Sequence, residues 1–195
     1  MFLSKYITIN IMSRVLTNRG FGAGGSNTNK NGLSYENKTH LSTEYSQYKL
    51  ENGYKYIKFL NNENEYITTT KNEFHKYMKK INERNLSIET VSGCKEPDEV
   101  YIDNIKKNIF IIEKKFQART GSIDEKIQTG LFKKFHFLQL FPNYNTHYIY
   151  CLSDWYKKKD YHSVLIYLQE NNIPIFWGDE KNYKNNIIQY IINNS

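Results

Sequence analysis

Cysteine, proline and long apolar runs are all scarce in this chain, and each shortage removes a class of protein. Two cysteines, Cys94 and Cys151, among 195 residues cannot build a disulfide framework or a four-ligand zinc site. They read as ordinary buried thiols of a reducing, intracellular compartment, so the expected location is the cytoplasm. The N-terminal MFLSKYITINIM breaks its apolar stretches at Lys5 and Asn10, which leaves neither a secretory core nor a membrane span. No membrane partner is expected. The five histidines show neither H-x-E nor H-E-x-x-H spacing, and no Ser/His/Asp constellation declares itself, so zinc-hydrolase and nucleophilic chemistry lack their residues. His136, set among Phe132, Phe135 and Leu140, reads as a structural histidine. The GFGAGG run lacks the G-K-[ST] ending of a phosphate-binding loop, and no clear strand precedes it.

What the chain does have is material for one core and a surplus of positive charge. Its length fits a single domain, and 39% hydrophobic with 15% aromatic residues is ample for burial. A formal charge of +7 favours a polyanionic partner such as nucleic acid. Charge alone does not identify that partner, because an AT-rich genome raises lysine, asparagine, isoleucine and tyrosine together.

The pattern of apolar residues predicts an α/β domain with a mixed central sheet flanked by helices. Residues 18–32 hold five of the ten glycines and read as an irregular loop, so residues 1–30 form an N-terminal arm and 31–195 a single domain. From Leu33 the spacing of Leu33, Asn37, His40, Leu41, Tyr45 and Tyr48 predicts a helix, with Asn31 or Ser34 as its cap. Residues 54–60 and 65–70 predict a hairpin, and 71–82 a helix carrying Phe74, Tyr77, Met78 and Ile81 on one side. After a connection over 85–97, two strands, 99–103 and 108–117, are joined by a turn at 104–107. Residues 121–141 predict a helix with a Ser122/Glu125 capping box, ended by Pro142. A strand at 146–153, a helix at 154–172, a strand at 173–177 and a helix at 180–194 capped by Asp179 complete the chain, and that alternation implies parallel crossovers.

The segment KEPDEVYIDNIKKNIFIIEKKFQ, residues 95–117, carries the chemistry. A four-residue turn sets Ile102 opposite Ile109, Val100 opposite Ile111 and Asp98 opposite Glu113, and directly opposed residues lie ~5 Å apart on one face. Lys115, two beyond Glu113, points the same way by strand alternation. One face therefore carries four aliphatic residues and ends in two acids and a lysine. Close carboxylates repel unless a cation lies between them, and hard oxygen donors suit Mg²⁺, with Mn²⁺ as a substitute. A five-residue turn would instead put Glu99 opposite Glu113. Asp103 also precedes the acid-x-lysine triplet, but it lies at the turn end of the hairpin, away from Glu113. As bare charges, Glu113, Lys114 and Lys115 also fit a solvated strand end that protects a sheet edge.

Pro97-Asp98, a gap of fourteen residues, then Glu113-Lys114-Lys115 resembles the PD-(D/E)XK motif of the nuclease superfamily that includes many type II restriction endonucleases. The similarity covers residues 97–126 and, more loosely, 31–36, where NGLSYE resembles the family's first helix and its metal-facing glutamate, here Glu36. Gln117 stands where several branches carry an additional glutamine, and GSIDEK (121–126) resembles the segment that follows it. The resemblance implies a restriction-endonuclease-like fold and Mg²⁺-dependent hydrolysis of phosphodiester bonds in double-stranded DNA. It further implies Asp98 and Glu113 as metal ligands (Glu99 substituting for Asp98), Lys115 positioning the attacking water, and Glu36 and Gln117 in support. It also implies a homodimer in which each protomer cuts one strand. Candidate DNA contacts are Arg19 and Lys30 in or beside the arm, with Lys114, Lys126, Lys133 and Lys134 elsewhere. Alternatives are a repair or recombination nuclease of the same fold, an RNA nuclease, and a basic nucleic-acid-binding protein without catalysis.

Overall fold

Charged residues cluster at the ends of the two central strands, yet both strands are buried along almost their whole length, because helices cover both faces of the sheet. A computed structural model of the chain describes residues 26–69, 71, 73–94, 96–118 and 124–195. In chain order it contains α1 (Ser26–Thr39), β1 (Tyr45–Glu51), β2 (Tyr54–Phe59), β3 (Tyr66–Thr68) and α2 (Phe74–Lys80). There follow β4 (Glu99–Asp103), β5 (Asn108–Lys115), α3 (Gly130–Leu140), β6 (Asn145–Leu152), α4 (His162–Glu170), β7 (Ile175–Trp177) and α5 (Tyr183–Asn193). The seven strands form one sheet in sequential order, antiparallel from β1 to β5 and parallel from β5 to β7. This is the α/β arrangement with a mixed sheet that the periodicity predicts.

Each face of the sheet has its own core. Val100, Ile102, Ile109 and Ile111 pack on one side with Phe74 and Met78 of α2, Phe137 of α3 and Leu168 of α4. Tyr101, Phe110 and Ile112 pack on the other with Tyr35 of α1 and Ile187 and Ile191 of α5. The β4–β5 turn is held locally: the Asp103 side chain accepts from the backbone N–H groups of Ile105 and Lys106, both at 2.9 Å, and Lys107 takes a positive φ of 58°. The resulting register pairs Asp103 with Asn108, Ile102 with Ile109 and Val100 with Ile111, as the four-residue turn requires.

Several local expectations are corrected. Helix α1 begins at Ser26, inside the stretch read as loop, and ends at Thr39, so Tyr45 and Tyr48 belong to β1 rather than to a helical face. The cause is the turn that follows: Asn52 and Gly53 both have positive φ, 51° and 81°, the geometry of the two-residue hairpin that Asn-Gly favours. The predicted helix over 154–172 is two 3₁₀ turns, Asp154–Lys157 and Lys159–Tyr161, followed by α4. Asp179 does not cap α5; its carboxylate accepts from Lys38 Nζ at 3.0 Å and from the Asp154 N–H at 2.9 Å. A 3₁₀ segment, Asp124–Thr129, leads into α3, and Ser122 of the expected capping box lies outside the described residues, as does most of the arm. Among the described residues no helix is long and apolar enough to cross a membrane.

An ion pair inside the second core ties α1 to the sheet. Lys114 Nζ lies 2.6 Å from Glu99 Oε2, each side chain about 1% exposed, and it also donates to the Glu36 carbonyl at 3.1 Å. Glu99 Oε1 accepts from the Leu41 N–H at 3.0 Å and from the Tyr101 hydroxyl. Removing one member strands the other's charge in a dry interior, which typically costs 3–5 kcal/mol. Lys114→Met is therefore expected to destabilise the fold by about 3 kcal/mol or more in urea unfolding. The double variant Glu99→Gln/Lys114→Met recovers a large part of that loss.

Candidate active site

The open end of the β4–β5 hairpin gathers charge because β5 runs on past the first residue of β4. The last ladder pair there is Glu99 with Ile112, so the next position in the same register sets Asp98 beside Glu113, on the face of Val100 and Ile111. Asp98 Oδ2 accepts from the Lys114 backbone N–H at 2.7 Å, which fixes the carboxylate at the strand end. Its Oδ1 accepts from Lys71 Nζ at 3.1 Å, and the same ammonium donates to Glu36 Oε2 at 2.6 Å. Glu113 Oε1 accepts from two ammoniums, Lys115 Nζ at 2.5 Å and Lys133 Nζ at 2.6 Å. Three acids and three lysines thus form one cluster built from α1, the segment before α2, the residue that precedes β4, β5 itself and α3.

Their protonation equilibria are displaced in opposite senses. Burial, then the charge of Glu113, push the Asp98 carboxyl above its ordinary range, more than Lys115, the Lys114 N–H and Lys71 pull it down. Burial would also raise Glu113, but the charges and hydrogen bonds of Lys115 and Lys133 hold it below its ordinary value. Burial opposes the Lys115 ammonium, yet Glu113, Asp98 and Glu36 together keep it above the usual lysine range. Lys115 is therefore cationic at neutral pH. It can hold a water or neutralise charge on a phosphate oxygen; it does not take a proton.

The geometry separates the candidate acids. Glu99 points to the opposite face and is committed to Lys114, so it does not substitute for Asp98 beside Glu113. Asp103 sits at the far end of the hairpin, capping the turn. Gln117 is buried just beyond the strand, where its backbone N–H donates to Ser153 Oγ at 3.2 Å and its carbonyl accepts from that hydroxyl at 3.3 Å. Glu36 joins the acids through Lys71.

The proposed DNA-contacting lysines divide more sharply. Lys114 is a correction: its ammonium is buried on Glu99, out of reach of any phosphate. Lys134 caps a helix end, donating to the Asn171 and Asn172 carbonyls at 2.9 and 3.0 Å, as basic side chains do at C-termini. Lys133 belongs to the acid cluster. Lys30 and Lys126 are exposed, and Arg19 lies outside the described residues. His136 is structural as expected, its Nε2 accepting from the Val91 N–H at 3.2 Å. Sequence reasoning missed Lys71 entirely, and no local signal marks it.

Among the described residues no group of three or more His, Cys, Asp and Glu side chains is arranged to enclose a metal ion. The donor chemistry nonetheless suits a hard divalent cation, which commonly takes one or two carboxylates and completes its shell with water and substrate phosphate. Two observations support the fit: the hairpin register carries Asp98 and Glu113 to one face at its open end, and an ammonium already stands between Asp98 and Glu36. The chain matches no family model, no curated protein and no solved structure.

The opposed shifts predict opposed substitutions. Asp98, with its folded value raised, weakens the fold when ionised, and that penalty disappears as acid protonates it. Glu113, with its folded value lowered, contributes stability that is full above the ordinary carboxylate range and lost as the pH falls through its folded value. At pH 7.5, Asp98→Asn should melt above wild type. Glu113→Gln, which removes the carboxylate that two largely buried ammoniums both pair with, should lose about 3 kcal/mol. Thermal unfolding of both variants at pH 7.5 checks the signs.

Proposed function

We propose that this chain is a Mg²⁺-dependent DNA endonuclease of the PD-(D/E)XK type, hydrolysing phosphodiester bonds as a type II restriction endonuclease does. The observation that carries the reading is the placement of Asp98, Glu113 and Lys115 on one face at the open end of a single hairpin. Pro97-Asp98 and Glu113-Lys114-Lys115 stand at the spacing the motif has.

Asp98 and Glu113 would hold the ion, with Glu36 in support once it is released from Lys71. Bound there, Mg²⁺ would offset the charge that develops on the phosphate during displacement. The chain's own part is positional. The Lys114 N–H fixes Asp98, the strand holds Glu113 two residues from Lys115, and Lys115, kept cationic by three acids, orients the attacking water against the phosphorus. Lys133, also on Glu113, adds a second positive group that faces an incoming phosphodiester. The charge of +7 favours a nucleic-acid substrate through counterion release. A homodimer cutting both strands belongs to the same reading.

One observation favours a different conclusion: every acid of the cluster is already matched by a lysine. A static network of that kind fits a basic nucleic-acid-binding protein without catalysis. Plasmid and phage DNA incubated with purified protein and Mg²⁺ separates the two. The nuclease reading expects discrete fragments from wild type, and a loss of at least about a hundredfold in cleavage rate for Glu113→Ala and Lys115→Ala. DNA that is retained but intact in every lane would establish the binding protein instead.

A further inference from the structure

We propose, building on the metal-dependent reading of this site, that Lys71 is a resident counter-ion that the divalent cation must displace, and that it sets how tightly the protein binds that cation. Its ammonium stands 2.6 Å from Glu36 Oε2 and 3.1 Å from Asp98 Oδ1, bridging two carboxylates that belong to different elements. A divalent ion coordinated by Asp98 needs the lone-pair space that the ammonium fills. Both cations cannot occupy it.

The three lysines of the cluster differ in their freedom to leave. Lys115 and Lys133 emerge from β5 and α3, their side chains are 17% and 15% exposed, and both rest on Glu113. Lys71 lies in the segment between β3 and α2, and its side chain is 40% exposed. An ammonium on four methylenes at that exposure can turn into water, where its hydration replaces the two ion pairs. Its departure uncovers both carboxylates at once, and Glu36 then joins Asp98 as a possible oxygen donor. Asp98 and Glu36 are spaced for an ammonium, whose hydrogen bonds are longer than the ~2.1 Å of Mg²⁺ coordination.

The test is calorimetric titration of the 195-residue chain with MnCl₂ at pH 7.5, without nucleic acid, so that binding is read apart from activity. Lys71→Met keeps the aliphatic stem and removes the charge; it should bind Mn²⁺ roughly tenfold more tightly than wild type. Lys71→Arg, which keeps the charge, should stay within about threefold of wild type. Adding Asp98→Asn to Lys71→Met should abolish the gain. Thermal unfolding of each variant identifies loss of structure, which could only weaken binding and cannot imitate a gain. Equal or weaker binding by Lys71→Met, with wild type binding normally, overturns the Lys71 proposal and leaves the metal site standing. A gain that survives Asp98→Asn overturns it too, because the ion then sits elsewhere. No binding by any folded variant overturns the metal site itself, and Lys71's role with it.

Discussion

The register of the β4–β5 hairpin is the constraint on which the rest depends. Strand side chains alternate strictly between faces, so a slip of one residue exchanges the two sets of neighbours. Here it would turn Val100 and Ile102 away from α2 and α3, and would carry Asp98 away from Glu113. The register is pinned at one end by the Asp103 turn, with its two hydrogen bonds to the backbone, and along its length by apolar pairs buried on both faces. The charged end therefore adds no pairing of its own. It inherits its geometry from aliphatic residues two and four positions away, and a hydrophobic core thereby positions a polar site.

Consecutive charges at that end perform separate tasks because of the same alternation. Asp98, Glu113 and Lys115 lie on the face of the cluster, while Glu99 and Lys114 lie on the other, where they form a dry pair that fastens the end of α1 through the Glu36 carbonyl and the Leu41 N–H. The two sets are not independent. Lys114 holds the Glu36 main chain on one face while its own N–H holds Asp98 on the other. One residue thus places both partners of the Lys71 bridge. The buried pair is structural in position, yet it determines where the acids of the cluster stand.

How much of this could be read from the sequence depended on whether the signal was local. The β4–β5 hairpin was legible because an apolar run, a turn of fixed length and strand alternation together leave one arrangement; the same logic placed Asp98 opposite Glu113. Strand β1 was not, since Tyr45 and Tyr48 imitate helical spacing, and the decisive Asn52-Gly53 signal lay beyond them. In the stretch 154–172, Tyr156 and Tyr161 are both buried, five residues apart, a spacing that one regular helix cannot turn to one side. The chain accommodates both by breaking into 3₁₀ turns. Asp179 had the position of a cap, but Lys38 and the Asp154 N–H, far away in sequence, compete for its oxygens. Lys71 and Lys133 reach the acids only through tertiary closure. Lys114 alone was readable and misread: alternation already put it on the face opposite Glu113, together with Glu99.

The electrostatics of the cluster bear on whether it is merely structural. In a network whose charges satisfy one another, each member's equilibrium moves toward its charged form, because every pair stabilises ionisation. Glu113 and Lys115 behave that way. Asp98 does not: with Lys71, the Lys114 N–H and Lys115 all favouring its anion, burial and the Glu113 charge still prevail. The lysines thus outweigh the burial of Glu113 but not the burial of Asp98, where the Glu113 charge adds to it. A group whose ionised form is disfavoured in the fold gains most from an additional cation, and such groups concentrate where proteins bind ions or perform chemistry. The imbalance lies at Asp98, which the most exposed ammonium of the cluster, Lys71, touches.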